Sequence, residues 1–555
     1  MKKYSAIPEI GITNRTWPDT PITQAPRWCA VDLRDGNQAL PDPLTLEQKK
    51  TYFDILVKIG FKEIEIGFPS ASKDDYDFCR HLIENKLIPD DVMISVLVPA
   101  RPDLVSKTMY ALRDVPKATV HFYVATSDLH REHVLGKSRQ DVFEMCTATV
   151  QAIKEEASKL NPSKFYLEFS PEEFTDTDLD FAVEICDHVI NEWQPAEGEQ
   201  VILNLPATVE RRPPTHYADM IELFQRKLKS TQAIISLHAH NDMGCAVASS
   251  QLAIQAGAHR VEGTLFGQGE RSGNVDLITL VLNLQYLGVD TGLDFSDLMN
   301  ITETISQLTN MPPHERHPYV GSLVFSAFSG SHQDAIHKST LKKDALMETF
   351  GRWKIPYLHI DPADIGREFE NLIRINSQSG KGGIAHIIEK EHNIKLPRFV
   401  QIDFAKRVQA YAEAVSREVS TQEVWRVFEE AYINPKNANL SLSNYWPYPD
   451  EKHPEIINAK IEVLFKGKKV TLEARDNGPI SAFVAALKQL EIPSFTLEHF
   501  GEDSIGDSAQ AEAVSCISIK NITDENVFIG FGYHSNINQA AVRAIVAAVN
   551  NLLNQ

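Results

Sequence analysis

The sequence has little that would suit a nucleic-acid or membrane partner. Its 555 residues include 55 lysines and arginines against 75 aspartates and glutamates, a formal net charge of -20. Without an excess of basic side chains few phosphates can be neutralised, which argues against nucleic-acid binding. There is no apolar run long enough to cross a bilayer, and no apolar stretch follows the first residues as in a secretory signal. We therefore expect a soluble, cytoplasmic protein.

Cysteine is also scarce. The six cysteines are scattered and form no C-x-x-C pair. This spacing indicates reduced thiols and argues against a disulfide framework or a zinc knuckle. Hydrophobic residues make up 43% of the chain, which is ordinary for a globular protein, but 555 residues exceed the usual size of a single core. We expect one large domain and two or three smaller ones.

Between about residues 28 and 266, short apolar runs alternate with amphipathic stretches. The predicted strands are Trp28–Leu33, Glu63–Phe68, Met93–Val98, Thr119–Ala125, Lys164–Phe169, Gln200–Leu205, Ala233–His238 and Arg260–Leu265. Eight strands alternating with helices predict an α/β fold, a (β/α)8 TIM barrel, although an open doubly wound sheet would give a similar pattern. Polar residues follow almost every strand, and because a barrel gathers them at one face, they favour the barrel.

The alternation ends after about residue 310. We predict an N-terminal arm (1–27), the barrel domain (28–315), a linker subdomain (316–375), a helical subdomain (376–445) and a C-terminal α+β regulatory domain (446–555). Asn434–Glu455, rich in Asn, Ser and Pro, is predicted to be a linker. Beyond it, two strands and a helix occur twice, which indicates an internal ββα duplication. Such a domain is typical of a sensor and nearly as typical of an oligomerisation module.

Two segments at predicted strand ends suggest a metal site. His238 and His240 are two residues apart, so their imidazoles point the same way on a strand and could bind one ion. The alternative is a pair of packed histidines without a metal. After the first strand, Arg34 precedes Asp35, where the carboxylate could bind a cation and the guanidinium could stabilise negative charge. A surface turn with an Arg–Asp pair explains this second segment equally well.

The segment Gly267–Asn274 (GQGERSGN) follows the last predicted strand. It is a near match to a dinucleotide-binding loop, but Ser272 stands where the third glycine is expected. It also ends a series of strands, whereas a dinucleotide loop opens one. We interpret it as a tight loop that brings Asn274 towards the ion, braced by Glu270 and Arg271.

Together these segments resemble the DRE-TIM metallolyases, barrel enzymes in which a divalent cation holds a 2-oxo acid or related substrate. Gly36 stands where that pattern has Glu, a common departure among its synthases. Within the group, the chain resembles the long-form 2-isopropylmalate synthases at Asp32–Leu40, Glu65–Ser70, Asn204–Glu210, His238–Gly244, Gly267–Val275, Phe328–Ile336, Pro356–Gly366 and Asn376–Gly383. This implies condensation of acetyl-CoA with 3-methyl-2-oxobutanoate and thioester hydrolysis, the first committed step of leucine biosynthesis.

The resemblance also implies roles for individual residues. The implied metal ligands are Asp35, His238, His240 and Asn274, which suit Mg²⁺ first and also Mn²⁺ or Zn²⁺, with K⁺ as an activator. The implied catalytic residues are Arg34, Glu168, His332 and Tyr357, and the implied substrate contacts are Arg34, His121 and Thr208. His332 is expected to be the base or to activate water, supported by Tyr357, in the active site of the neighbouring subunit of a homodimer. Alternatively, His332 only stabilises that subunit contact.

By the same resemblance, leucine is expected to inhibit through the C-terminal domain, where Gly530 and Gly532 could let a ligand approach the backbone. Gly380–Gly383 with Lys381 is predicted to be a structural turn, with binding of CoA phosphates as the alternative. Three other functions stay open. A sister synthase would use pyruvate or 2-oxoglutarate, a dehydrogenase would use the Gly267–Asn274 loop, and an amino-acid sensor would have an inactive barrel.

Overall fold

The computed structural model describes residues 3–160, 164–367, 381–505 and 512–555. The chain divides into two compact units, one of Met1–Val324 with Pro362–Arg367 and the other of Phe325–Asp361 with Glu368–Gln555. Within the described ranges, no helix combines the length and the apolar composition required to span a membrane.

The first unit contains a closed barrel of eight parallel strands in sequential order, with the first strand paired to the eighth. The strands are β1 Arg27–Ala30, β2 Glu63–Glu65, β3 Met93–Pro99, β4 Lys117–Ala125, β5 Lys164–Glu172, β6 Val201–Ala207, β7 Ala233–Ala239 and β8 Arg260–Gly263. The predicted (β/α)8 barrel is confirmed, and the open sheet is excluded. β1 and β8 end earlier than predicted because the chain turns there into short helices, Asp32–Gly36 and Leu265–Gly267.

Helices alternate with these strands as predicted. They are α1 Leu46–Ile59, α2 Lys73–Glu84, α3 Pro102–Ala111, α4 Arg139–Lys159, α5 Leu179–Trp193, α6 Pro214–Lys227, α7 Ala246–Gln255 and α8 Leu277–Tyr286, followed by α9 Leu298–Thr309. Short turns lie at Trp17–Asp19, Leu129–Val134 and Phe174–Asp176. In α1, Thr45 and Gln48 cap the first turn reciprocally, and Gly60 ends the helix with a φ of 113°. The apolar residues of α1 recur at helical spacing, so that Tyr52, Phe53, Leu56 and Ile59 are buried.

The second unit begins with helices. They are α10 Gly330–Thr340, α11 Lys343–Phe350, α12 Lys381–His392, α13 Arg398–Val415 and α14 Thr421–Phe428, and a short helical turn follows at Glu429–Ile433. The helix predicted at Asp403–Ser416 lies almost entirely within α13. The predicted boundary at residues 375–376 and most of the segment Asn376–Gly383, with Gly380, lie outside the described residues.

Two three-stranded antiparallel sheets follow. The first has strands β9 Leu440–Pro449, β10 Ile457–Phe465 and β11 Lys468–Asp476 and is followed by helix α15 Pro479–Leu487. The second has β12 Phe495–Ile505, β13 Glu512–Asn521 and β14 Val527–His534 and is followed by α16 Ile537–Leu553. The duplication is thus present, but each repeat is βββα and not ββα.

The linker predicted at Asn434–Glu455 is wrong over Leu440–Pro449, which form β9 and pair with β10. Most β9 side chains are exposed, so its polar composition and its prolines suggested a linker. Proline is tolerated at such a sheet edge because β9 pairs on one side only. The boundary predicted at residue 446 falls inside this strand, so the C-terminal sheet begins earlier, at Leu440.

Gly530 and Gly532 have a packing role on β14. A Cβ added at Gly530 would lie 2.1 Å from the carbonyl oxygen of Ala544, and one at Gly532 would lie 2.1 Å from that of Ala540. Both glycines therefore let the backbone of α16 pack directly on the strand. The expectation that a ligand approaches the backbone at these two positions is wrong on this face, because the helix occupies it.

Candidate active site

The carboxyl ends of the barrel strands surround a cavity of about 280 Å³. This is the face at which barrel enzymes carry their active sites. The volume is near the lower end of small-molecule sites, so it suits a small organic acid. Six of the predicted site residues line the cavity: Arg34, Asp35, His121, Thr208, His238 and His240.

Three of the four predicted metal ligands direct a donor atom towards one point. The Nε2 atoms of His238 and His240 are 3.1 Å apart and lie 3.4 and 3.9 Å, respectively, from Oδ2 of Asp35. A point equidistant from the three atoms is about 2.0 Å from each, which is a normal metal–ligand distance. The three side chains therefore fit a single divalent cation.

The fourth predicted ligand, Asn274, lies beside these three. Its Nδ2 donates a hydrogen bond of 2.8 Å to Oδ2 of Asp35. Its Oδ1, the atom that could bind a cation, is buried without a hydrogen-bond partner among the described residues. Asn274 is held here by the preceding Gly273, where φ is 94° and a Cβ would lie 1.9 Å from the carbonyl oxygen of Gly267. The loop is therefore tight, as the sequence indicated.

The electrostatics of the cluster favour positive charge. Burial opposes ionisation of His238, but hydrogen bonds to Asp35 and Glu262 outweigh it and raise the pKa of His238 to about 10. Burial and the neighbouring His238 lower the pKa of His240 to about 3. Burial also opposes ionisation of Asp35, yet Arg34 and His238 keep the pKa of that carboxyl well below its usual range. A cation at this point would meet the ionised carboxylate of Asp35 and the neutral imidazole of His240, and it would replace the proton on Nε2 of His238.

Arg34 connects the candidate metal ligands to the wall of the cavity. Its Nη1 lies 2.5 Å from Oδ1 of Asp35, and its Nε lies 2.5 Å from Oε1 of Glu65. The other carboxylate oxygen of Glu65 is 2.7 Å from Nδ1 of His121, whose Nε2 is 2.7 Å from Oγ of Ser170. The guanidinium is thus held in one orientation while it lines the cavity.

Glu168 does not line the cavity, unlike the other catalytic candidate of the barrel, Arg34. It is fully buried, and both of its carboxylate oxygens contact Arg260, at 2.9 and 3.3 Å. Burial raises the pKa of Glu168 to about 7. The prediction that Glu168 contacts the substrate or supports the groups that do so stays a prediction, and its carboxylate is paired with Arg260.

Glu172, four residues further along β5, does line the cavity. Burial raises the pKa of this carboxyl too. Residues 168, 170 and 172 point to the same side of the strand, so sequence periodicity could not choose between the two glutamates. Glu172 belongs to the polar residues Ser170–Glu173 that follow this predicted strand, but nothing in their pattern indicates how far along the strand the cavity begins.

Thr208 has the position expected of a substrate contact. It lines the cavity, and its Oγ1 accepts a hydrogen bond of 2.9 Å from the backbone N–H of Glu173. Arg271 and Glu270, which were expected to brace the Gly-rich loop, also line the cavity. Arg271 is paired with Asp242, with an N–O distance of 2.7 Å.

His332 and Tyr357 belong to the second unit. Their rings stack with centroids 3.8 Å apart and planes inclined by 21°. Tyr357 is 62% exposed and has a φ of 64°, an uncommon backbone conformation for a bulky residue. The two residues that the sequence singled out in this region are therefore direct neighbours.

Comparisons with known proteins identify the family of this chain. Residues 25–305 match the HMGL-like family, residues 322–389 the alpha-isopropylmalate synthase post-catalytic domain-like family, and residues 418–553 the LeuA allosteric (dimerisation) domain. The 2-isopropylmalate synthase of Rhodospirillum rubrum is 44% identical over 99% of this chain and 98% of its own length. The enzymes of that name from Clostridium acetobutylicum and Ralstonia nicotianae are 45% and 43% identical over 99% of this chain, covering 98% and 94% of their own lengths. Because such identity extends along almost its entire length, this chain belongs to the 2-isopropylmalate synthase family.

Proposed function

We propose that this chain condenses acetyl-CoA with 3-methyl-2-oxobutanoate in a Claisen-type reaction and hydrolyses the thioester to release 2-isopropylmalate and CoA. One observation carries the proposal: donor atoms of Asp35, His238 and His240 converge on a single point in the barrel cavity, beside the guanidinium of Arg34. The names of the full-length relatives support the same reaction.

Asp35, His238 and His240 would hold the cation, with Oδ1 of Asn274 as a further donor. Imidazole and oxygen donors suit Mg²⁺, which we propose first, and also Mn²⁺ or Zn²⁺. When bound, such an ion supplies Lewis-acid activation of the carbonyl group of the 2-oxo acid. Activation by K⁺ belongs to the same proposal and rests on the family resemblance.

Arg34 provides a fixed positive charge in the cavity. Because Asp35 and Glu65 hold its guanidinium from two sides, it can stabilise negative charge on the substrate carboxylate or on the developing alkoxide without reorienting. Thr208 and His121 line the same space and would hydrogen-bond the substrate. Glu168 is the further catalytic candidate that the family resemblance implies, and its carboxylate contacts Arg260.

The remaining lining favours a branched apolar side chain on the 2-oxo acid. Phe68, Leu97, Tyr123 and Pro206 contribute to the cavity wall. A second substrate carboxylate, as in 2-oxoglutarate, would need a further cation, and Arg271 is already paired with Asp242. Pyruvate differs from 3-methyl-2-oxobutanoate by two methyl groups, each worth about 1–3 kcal/mol in an apolar pocket, so it stays the closest competitor.

The methyl group of acetyl-CoA must lose a proton before it attacks the 2-oxo acid. We propose His332 as the base or as the group that activates water, with Tyr357 stacked on it as support, acting in the neighbouring subunit of a homodimer. The match to an allosteric (dimerisation) domain supports dimer formation and regulation. Leucine is the proposed inhibitor. A cytoplasmic location is part of the proposal and agrees with the six free cysteines.

The test is an assay of CoA thiol release with a panel of 2-oxo acids. We expect fastest release with 3-methyl-2-oxobutanoate, loss of activity after treatment with EDTA, and recovery when Mg²⁺ or Mn²⁺ is restored. Faster release with pyruvate or 2-oxoglutarate would identify a sister synthase. Absence of release with every acid would leave the sensor hypothesis, and tight NAD(H) binding would favour the dehydrogenase.

A pair of histidine variants gives the matched control. His238→Ala removes a cation donor, and we expect it to abolish both Mn²⁺ binding and CoA release. His81→Ala changes a histidine on α2 that is hydrogen-bonded to Asn85 and does not line the cavity, so activity should be retained. Equal activity of the two variants would contradict the metal site.

A further inference from the structure

Arg260 is a buried arginine to which the proposed reaction assigns no part. Its exposed fraction is 1%, and its guanidinium contacts three carboxylates inside the barrel. Nε lies 2.7 Å from Glu63, and Nη1 lies 2.9 Å from both Glu168 and Glu262. Oγ of Ser236 accepts a further hydrogen bond of 2.7 Å from Nη1. The planar guanidinium suits this arrangement because its five N–H groups point in fixed directions.

One of these carboxylates, that of Glu262, connects Arg260 to the candidate metal ligand His238. Oε2 of Glu262 contacts Arg260, while Oε1 lies 2.7 Å from Nδ1 of His238 and accepts a hydrogen bond of 2.9 Å from Asn204. A proton on Nδ1 that is donated to Glu262 leaves the lone pair of His238 on Nε2, the atom directed at the cation position. The orientation of Glu262 therefore decides the tautomer and the direction of a metal ligand.

A second group of donors lies deeper in the barrel. His121, Glu168 and Glu262 each offer an atom, and these atoms all lie within 4.8 Å of one another, which is close enough to hold a metal ion. We call these three residues the inner cluster. The guanidinium of Arg260 already contacts both of its carboxylates, so the positive charge that the cluster requires is built into the chain.

We propose that Arg260 is a positioning residue for the metal centre. It holds Glu262, and through it His238, in the orientation that binds the cation, and it occupies the inner cluster so that one divalent ion binds per barrel, at Asp35, His238 and His240. This inference rests on the proposed function, because it assumes that a cation binds at those three side chains.

The test is Mn²⁺ binding to metal-free protein, measured by titration calorimetry, with the bound ions counted by electron paramagnetic resonance. Arg260→Lys keeps the positive charge but removes the planar guanidinium group. Glu262→Gln keeps the shape of the side chain but removes its negative charge. We expect each to weaken Mn²⁺ binding by about 10–100-fold, the usual effect of losing a group that orients a metal ligand. The double variant should bind no more weakly than Glu262→Gln alone, because both changes act through the same carboxylate.

Arg80→Lys is the matched control. Arg80 is a second buried arginine, but it lies on α2 and donates hydrogen bonds to the carbonyl oxygens of Ala111 and Arg113. This variant should lower the melting temperature without changing the Mn²⁺ affinity. If the Mn²⁺ affinity falls in proportion to the melting temperature in all variants, including Arg80→Lys, the role of Arg260 is merely structural and the proposal is overturned.

The other outcomes are equally decisive. Wild-type Mn²⁺ affinity in folded Arg260→Lys, additive losses in the double variant, or two ions bound per wild-type chain would overturn the inference. If Arg260→Lys does not fold, wild-type affinity in folded Glu262→Gln overturns it. Failure of the wild-type protein to bind Mn²⁺ at all would instead refute the proposed function, so the two failures are distinguishable.

Discussion

Replacing His332 with alanine separates catalysis from packing at the proposed second half of the active site. The imidazole stacks on Tyr357 with a centroid distance of 3.8 Å. Losing an aromatic pair costs about 0.5–1.5 kcal/mol, which corresponds to roughly tenfold at most. Losing a general base typically costs about 10²–10⁴-fold. Because these ranges do not overlap, we expect His332→Ala to lower kcat by at least about 100-fold if His332 handles the proton.

The assay follows CoA release at saturating acetyl-CoA and 2-oxo acid, with light scattering to confirm that the oligomeric state is unchanged. Exchange of the acetyl-CoA methyl protons with D2O, detected by mass spectrometry, reports proton removal separately from the later steps. Tyr357→Phe retains the stacked ring and removes only the hydroxyl group, so it should reduce kcat less than His332→Ala. His337→Ala, on the same helix α10, is the matched control and should retain activity.

Near-normal turnover of His332→Ala in an intact dimer would refute the catalytic role. A reduction of tenfold or less, with methyl exchange at the wild-type rate, would show instead that His332 acts through its packing on Tyr357. Loss of the dimer together with activity would support the alternative that His332 stabilises the subunit contact.

Three further substitutions test other parts of the structure. Arg34→Lys should lower kcat/KM by about 10–100-fold, because one ammonium group cannot hold both carboxylates that the guanidinium contacts; unchanged kinetics would contradict its role. Burial raises the pKa of the Asp32 carboxyl from 3.8 to about 7. Between these two pH values the folded state holds a proton that the unfolded chain has lost, so the free energy of unfolding should fall as the pH rises from about 4 to about 7. Asp32→Asn should therefore lose less melting temperature than wild type between about pH 4 and pH 7, and an equal loss would refute this assignment. Gly530→Ala would place a Cβ 2.1 Å from the carbonyl oxygen of Ala544 and should destabilise the second unit by about 1–3 kcal/mol in thermal unfolding, whereas Gly478→Ala should be tolerated, since its nearest contact is 3.5 Å away.

Local patterns were sufficient to predict the barrel and to suggest two histidines for the proposed cation site. Alternation of apolar runs with amphipathic stretches is a property of neighbouring residues, and so is the two-residue spacing that directs His238 and His240 to the same side of β7. β9 was missed because most of its side chains are exposed and its strand character comes from pairing with β10. Its composition alone is that of a linker.

The depth of a side chain in the barrel was decided only by the tertiary structure. Glu168 and Glu172 are on the same side of one strand, and closure of the barrel buries the first while it exposes the second to the cavity. Arg260 carries no recognisable motif, yet it contacts Glu63, which is 197 positions away in the chain.

The amino-acid sequence by itself therefore determined the class of fold, because the alternation of strands and helices depends on periodicity over a few residues. It also suggested the candidate cation donors, through their spacing and through the family resemblance. Which charged groups pair in the interior, which carboxylate reaches the cavity and which glycines accommodate a helix depend on contacts between distant segments. Those contacts exist only once the sheet has closed and the helices have packed against it.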